Sequence, residues 1–363
     1  MERIAVLTSG GDAPGMNAAI RAVVKVAASR GVEVLGVRRG YDGLIDGDVQ
    51  PLTRRLPGGG RLAPTADVET MGSLGGTVLG STRCPRFLTS DGRLEAARRL
   101  RDVGAEGLVV IGGNGSMAGA HAFAVDTGFP VIGIPASIDN DIGLTREALG
   151  VDTALNTIIE ATDRISDTAR SHHRAFIVEV MGRHSGYLAM ASAVAAAADA
   201  VLLPEQGRSY DEVIAAVADA IRASFATARD KNRVLVIKAE GVDIPTHHLV
   251  NEVSAELADL PQVEVRGTVL GHLVRGGSPS FRDRLLAGRF GLTAVEGLVG
   301  GATDVMAGWT YGGERGVPTS DPFIRLFALD DVLVETEALM DGTSAVTMDR
   351  VRRMEAIQGV LAL

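Results

Sequence analysis

Short runs of β-branched and aliphatic residues alternate along this chain with longer stretches in which apolar positions recur every three or four residues. Residues 3–7 predict a strand, and the helix after the first turn covers about 16–29. Residues 107–111 and 131–134 predict two more strands, separated by a helix near 117–127. A long helix from about 151 to 170 leads into a strand over 175–180. Further strands are expected near 200–203, 234–238 and 263–270 with helices between them, and helices over 281–299, 330–340 and 347–359. Alternating strands and helices are the signature of an α/β fold, a mainly parallel sheet with helices on both faces. At 363 residues the chain exceeds what one core usually holds, so two domains are expected, with one boundary near 143–152.

Composition narrows the function classes. The net charge of −9 argues against a nucleic-acid partner. The longest apolar run, 188–203, is broken by Ser192 and Asp199 and reads as a buried helix running into a strand, so no membrane span is expected. The first strand begins almost at once, which leaves no room for a signal peptide. A single cysteine, Cys84, excludes a disulfide framework and a cysteine-based zinc site, and fits a cytoplasmic protein.

Three glycine-rich stretches carry the first chemical signal. Thr8–Asn17 joins the first strand to its helix, where glycines let backbone amides approach an anion at the helix N-terminus. Gly112–Ser116 repeats the arrangement after another strand, and Gly72–Arg83 ends in a fixed positive charge. The first of them matches neither the dinucleotide G-x-G-x-x-G nor the P-loop spacing. One such loop is weak, but three suggest a polyphosphate site. A second signal is the set of Arg174, Arg266 and Arg275 with His272, at strand ends or beside glycines rather than on solvated helix faces. Arginine suits phosphate because its planar fork donates two parallel hydrogen bonds. The set therefore reads as a second, phosphorylated-substrate pocket. A third is Pro135–Asp141, where an extended path past the proline would project Ser137, Asp139 and Asp141 to one side. One carboxylate could take a proton while the other holds a metal. Taken alone, that segment reads more readily as a helix-capping loop.

Together, Gly10–Asn17, Gly112–Ser116, Ser137–Asp141, Met181–Arg183 and Leu270–His272 with Arg275 resemble the 6-phosphofructokinase family over about residues 1–290. The resemblance implies two Rossmann-like domains, 1–150 plus about 274–325 for the phosphoryl donor and 151–273 plus part of the C-terminal segment for the sugar phosphate, usually in a homotetramer. It implies transfer of a phosphoryl group from ATP to the 1-hydroxyl of fructose 6-phosphate, with Mg2+ as the metal. By that resemblance Asp139 is the general base, and Asp141 and Asn114 ligate magnesium. Gly11, Arg83, Ser137 and Arg183 would surround the transferred group. Met181, Gly182 and Glu240 would contact the sugar, while His272 and Arg275 hold its phosphate, joined by Arg174 and Arg266 of a neighbouring subunit. Tyr41, Cys84, Gly113, Asn114, Gly115 and Ser116 would lie along the donor.

This chain departs from the family pattern at three positions of the site. Asn114 stands where an acid is usual, Ser137 where threonine is usual, and Ala136 where ATP-dependent members have glycine and pyrophosphate-dependent ones lysine. Gly115 occupies the position at which pyrophosphate users carry aspartate, so ATP is the favoured donor. The competing readings are a pyrophosphate-dependent enzyme and a catalytically weak regulatory homologue. Arg21, Lys25, Arg229 and Lys231 fall where basic effector contacts are expected, with Ser166 in place of an arginine, which implies altered allosteric control.

Overall fold

The chain is described from a computed structural model covering residues 1–57, 60–226, 232–310, 315–349 and 352. It divides into two units, the first formed by 1–138, 142–153 and 275–337, the second by 139–141, 154–274 and 338–363.

The first unit opens with β1 (Arg3–Ser9), whose Ile4 to Leu7 are fully buried, as expected for a central parallel strand. Helix α1 (Met16–Ser29) follows, burying Met16, Ala19, Ile20, Val23, Val24 and Ala27 on one stripe at helical spacing. Then come β2 (Glu33–Val37), α2 (Gly40–Asp46) and β3 (Val49–Pro51), a small hairpin of β4 (Thr53–Arg55) and β5 (Leu62–Pro64), and helices α3 (Ala66–Met71) and α4 (Ser90–Asp102). Strand β6 (Leu108–Gly112) feeds α5 (Asn114–Thr127), and β7 (Val131–Pro135) completes the central strands.

Helix α6 (Val151–His172) leads into the second unit, which continues through β8 (Arg174–Val180), α7 (Tyr187–Ala195), β9 (Ala200–Leu202), α8 (Tyr210–Phe225), β10 (Val234–Ala239), α9 (Thr246–Glu256) and β11 (Glu264–Val269). These four strands form one parallel sheet in the order β11-β8-β10-β9. The chain then returns to the first unit with α10 (Phe281–Val299), β12 (Val305–Trp309), β13 (Val317–Pro318), β14 (Ile324–Ala328) and α11 (Leu329–Met340).

The sheet of the first unit runs β13-β14-β12-β7-β6-β1-β2-β3, with β12, β7, β6, β1 and β2 parallel and the outer strands antiparallel. The expected α/β class with mainly parallel sheets is therefore found. After β1 the chain moves to β2 on one side, and β6 later takes the other side. That reversal is a topological switch point, and open α/β sheets bind ligands outside the strand ends there. Of the predicted helix 347–359, only residues up to 349 and residue 352 fall within the described chain, and these are helical.

Helix α10 is anchored by a buried carboxylate. Asp283, fully buried in its first turn, accepts hydrogen bonds from Gly150 N (2.8 Å), Thr153 N (2.9 Å) and Thr153 Oγ1 (2.5 Å). Burial raises its pKa above the usual carboxylate value, against the opposing pull of those donors. Gly291 on the same helix sits where a Cβ would lie 2.6 Å from Ala22 Cβ, which lets α1 and α10 pack closely.

Candidate functional site

In the first unit, the loops after β1, β6 and β7 leave adjacent parallel strands at the same end of the sheet, because Ser9 is paired with Gly112 and Gly112 with Pro135. The first two flank the switch point. Gly112 has no room for a side chain, since a Cβ would run into the Ser9 carbonyl and Ser116 Oγ. Gly10 takes φ +84 and Gly15 φ +102, the left-handed values that favour glycine.

Helix α5 begins at Asn114, three residues earlier than the periodicity predicts. Asn114, Gly115 and Ser116 are thus the first turn of a helix rather than a loop before it, and first-turn amides lack intrahelical acceptors. A Cβ built on Gly115 would meet nothing within 4 Å. Tyr41 is only 5% exposed, its ring stacked on Phe87 at 3.9 Å and its hydroxyl donating to Ser116 O at 2.7 Å. Expected along a donor, it is instead mostly committed to the core and holds this first turn through the Ser116 carbonyl. Burial pushes its hydroxyl pKa well up, so it stays a neutral donor. Cys84 is half-buried, its thiol 3.6 Å from Asp42 Oδ1, and burial raises its pKa, which makes it a poor nucleophile.

The third glycine stretch is pinned to this end of the sheet by a residue that motif reading leaves without a role. Asn17, fully buried in α1, donates Nδ2 to Leu74 O and Gly75 O (3.1 Å each) and accepts from Val78 N through Oδ1 (2.8 Å). Thr8 Oγ1 lies 2.7 Å from Thr77 Oγ1 and donates to Gly80 O, while Ser81 Oγ donates to Gly10 O at 2.6 Å. Exposed Arg83 ends this tethered segment. Arg275 also belongs here. Its Nη1 donates to Asp12 O at 3.3 Å and lies beside Gly11, so it stands at the first glycine loop.

The path after β7 is not extended as the alternation argument requires. Ala136 is buried and bridged to Leu149, residues 138–139 form a turn, and Asn140 takes φ +49. Asparagine is one of the few non-glycine residues that enters that region readily, so the sequence does carry a signal for the turn. Strict period-two projection therefore ends at Ser137. Asp139 is half-buried and Asp141 is 8% exposed. Among the described residues no cluster of three His, Cys, Asp or Glu could hold a metal. Asp141 and Asn114 each carry the hard oxygen donor that magnesium prefers, its remaining positions being completed by water and phosphate oxygens.

In the second unit, Met181, Gly182 and Arg183 follow β8, and Glu240 follows β10. Gly182 requires φ +127, and a Cβ on Gly241 would overlap the Arg183 carbonyl, so glycine at both positions brings these two loops together. Met181 and Gly182 are buried, Glu240 is half-buried, and Arg183 and His272 are exposed.

Arg174 and Arg266 do not join them. Arg174 is the first residue of β8, roughly 20 Å along a seven-residue strand from Met181. Both arginines pair instead with Glu264, which the parallel register sets directly opposite Arg174. Arg174 and Arg266 thus do not share a pocket with Met181 within one chain, and Glu264 is a partner of both that motif reading missed.

At the basic positions expected to hold an effector, Arg21 and Lys25 both face Glu69, at 3.5 and 3.0 Å. Ser166 is buried. Arg229 and Lys231 lie outside the described residues.

A family model described as phosphofructokinase matches residues 3–298. The chain is 47% identical to an ATP-dependent 6-phosphofructokinase of Thermotoga neapolitana over 306 residues, 84% of this chain and 89% of that protein. It is 47% identical to ATP-dependent 6-phosphofructokinase 1 of Thermus thermophilus over 312 residues, 86% and 91% of the two chains. Among solved structures, phosphofructokinase from Saccharomyces cerevisiae aligns with a TM-score of 0.79 at 31% identity, covering 98% of this chain and 48% of that one. The chain therefore spans about half the length of that yeast protein. A pyrophosphate-dependent phosphofructokinase from Marinobacter aquaeolei shares the fold, with a TM-score of 0.75 at 21% identity over 98% of this chain and 91% of that one.

Proposed function

The chain belongs to the phosphofructokinase family, and from that premise we propose that it transfers the terminal phosphoryl group of ATP to the 1-hydroxyl of fructose 6-phosphate, giving fructose 1,6-bisphosphate and ADP. The observation that carries ATP as donor is Gly115. It sits in the first turn of α5 with open space where a side chain would stand, and so leaves room for the rest of a nucleotide beyond its phosphates.

The first unit binds the donor, and Met181, Gly182 and Glu240 of the second bind the sugar. First-turn amides of α5 and the glycine loop after β1 cradle phosphate oxygens, helped by the partial positive charge at helix N-termini. Asp139 accepts the proton of the attacking hydroxyl. Arg83 and Arg183 spread positive charge over the phosphoryl oxygens as charge shifts toward the leaving group, and Ser137 and Gly11 donate hydrogen bonds to it. Asp141 and Asn114 hold magnesium, which when bound neutralises phosphate charge. The amide in place of an acid at 114 makes that metal site weaker in charge. Met181, Gly182 and Glu240 contact the sugar, while His272 and Arg275 hold its phosphate.

Arg174 and Arg266 serve the sugar site of a neighbouring copy in a homotetramer. Their position at the opposite end of the sheet from Met181 supports that assignment. The protein works in the cytoplasm. In support, no helix among the described residues is long and apolar enough to cross a membrane, and the chain has a single cysteine.

An aldolase-coupled assay with fructose 6-phosphate and magnesium, run in parallel with ATP and with pyrophosphate, tests the donor. Turnover with pyrophosphate alone would sink the argument from Gly115. Asp139→Ala tests the base: kcat should fall by about 10²–10⁴-fold with sugar-phosphate binding kept. An unchanged kcat would remove Asp139 from the chemistry.

A further inference from the structure

Strand β10 carries a residue that its pattern does not call for. Val234 to Ile237 are a buried apolar run, as befits a strand flanked by β8 and β9, and the next residue is Lys238, itself only 1% exposed. It is the one buried lysine or arginine among the described residues. The parallel register sets it opposite Glu179 of β8, and its Nζ donates to Glu179 Oε2 at 3.0 Å and to Ala239 O at 3.4 Å. Thr246, the buried first residue of α9, donates its Oγ1 to the same carboxylate oxygen at 2.5 Å.

Stability does not account for this pair. Taking an ammonium and a carboxylate out of water offsets much of their attraction, and apolar side chains of similar volume often hold such a place as well or better. What the charges add over apolar contact is direction, because a hydrogen bond fixes both distance and angle. The pair stands just short of three segments that lead to the sugar site. Glu179 lies two residues before Met181, and Lys238 two before Glu240. Leu270, whose N–H donates to Glu179 O at 3.0 Å, lies two before His272. Two residues of strand span about 7 Å. Beyond the pair the two chains stay joined, Glu240 N donating to Val180 O at 2.9 Å and Gly241 N to Gly182 O at 3.3 Å. A shift of β10 against β8 at Lys238 therefore passes directly to Glu240 and Met181.

We propose that Lys238 is a positioning residue for the sugar site. Through Glu179 it locks the carboxyl ends of β8 and β10 to each other and to the start of α9, and so sets the separation of Met181 and Glu240 that the sugar requires. The inference rests on the kinase reading and adds to it a residue that meets neither substrate.

The test compares wild type with Lys238→Met and with the double variant Lys238→Met/Glu179→Gln, measuring melting temperature, KM for fructose 6-phosphate and for ATP separately, and sugar-phosphate affinity by calorimetry without donor. Lys238→Met removes the charge facing Glu179, so the melting temperature should fall by several degrees. The double variant leaves no unpaired charge and keeps an oxygen for Thr246, so it should regain most of that loss. In both, the KM and the dissociation constant for fructose 6-phosphate should rise about tenfold, as for one misaligned hydrogen bond to the sugar, with KM for ATP within twofold. The decisive result is a double variant whose stability recovers while its sugar KM does not. If sugar KM returns to the wild-type value together with the melting temperature, the pair is structural only, and the proposal falls while the kinase reading stands. Equal rises in both KM values would likewise overturn it. Should Lys238→Met fail to fold, the double variant decides by the same two outcomes. A wild type inactive on fructose 6-phosphate with ATP overturns the kinase reading, and this inference with it.

Discussion

Asn17→Ala should free the tethered glycine stretch without touching a residue that meets substrate. Asn17 is fully buried, and its amide makes three hydrogen bonds to the backbone of residues 74–78, two donated and one accepted. Truncation removes all three and leaves two carbonyls and one N–H without their partner. At about 1 kcal/mol net for each bond, the cost is about 2–4 kcal/mol. Asn17→Asp gives a sharper test, because its volume is the same. One carboxylate oxygen can keep the bond from Val78 N, but the other then faces the Leu74 and Gly75 carbonyls, two acceptors opposite a buried acceptor. It should therefore cost at least as much as alanine. The assay is urea unfolding combined with hydrogen exchange read by mass spectrometry over residues 72–83. The Val78 amide should lose its protection in Asn17→Ala and keep it better in Asn17→Asp, while exchange over 72–83 rises in both, and the kinase activity should fall with the loss of a fixed position for Arg83. Unchanged exchange over 72–83 with a stability loss below about 0.5 kcal/mol would refute the tether.

Two further outcomes follow from the same geometry. Gly115→Asp places a side chain where nothing lies within 4 Å, so the melting temperature should hold while the KM for ATP rises at least tenfold from lost space and added negative charge. An unchanged KM for ATP would refute the donor argument. Glu147, buried beside Asp283 and Asp152, has its pKa pushed up from 4.5 to about 7, chiefly by burial and against the pull of Arg282 at 2.9 Å. The folded chain holds a proton there that the unfolded chain has already released. Stability is thus fully present below pH 4.5 and is lost as pH rises through about 7, by at most about 3 kcal/mol. Glu147→Gln removes that slope, so urea unfolding should favour the variant over wild type more at pH 8 than at pH 5. A difference independent of pH would sink the assignment.

What the sequence discloses is what lies within a few consecutive residues of a strand end. The glycine loops, the Ser137–Asp141 stretch and Met181–Arg183 are of that kind, and hydrophobic spacing alone finds most central strands to within a residue or two. Strand β2 escapes because Gly36 interrupts its apolar run, glycine being required where a Cβ would lie 2.7 Å from Leu79 Cδ2. Asn17 and Glu264 are illegible for a different reason. Their partners lie about sixty and ninety residues away, and only the packing of α1 or the register of β8 against β11 brings them together.

Arg174 shows that part of the missing information was nonetheless present. In a parallel sheet every strand points the same way, so position within a strand already sorts residues to one end of the sheet or the other. A residue that starts β8 cannot share a small-molecule site with one that follows it, because the strand between them is longer than the ligand. Motif order groups Arg174 with Met181, whereas strand direction separates them. Both hold together only if the arginine acts on a site in another copy of the chain. The proposal of a shared site thus rests on the direction of one strand, and Glu264, paired with both Arg174 and Arg266, is the residue that holds the two guanidinium groups in place.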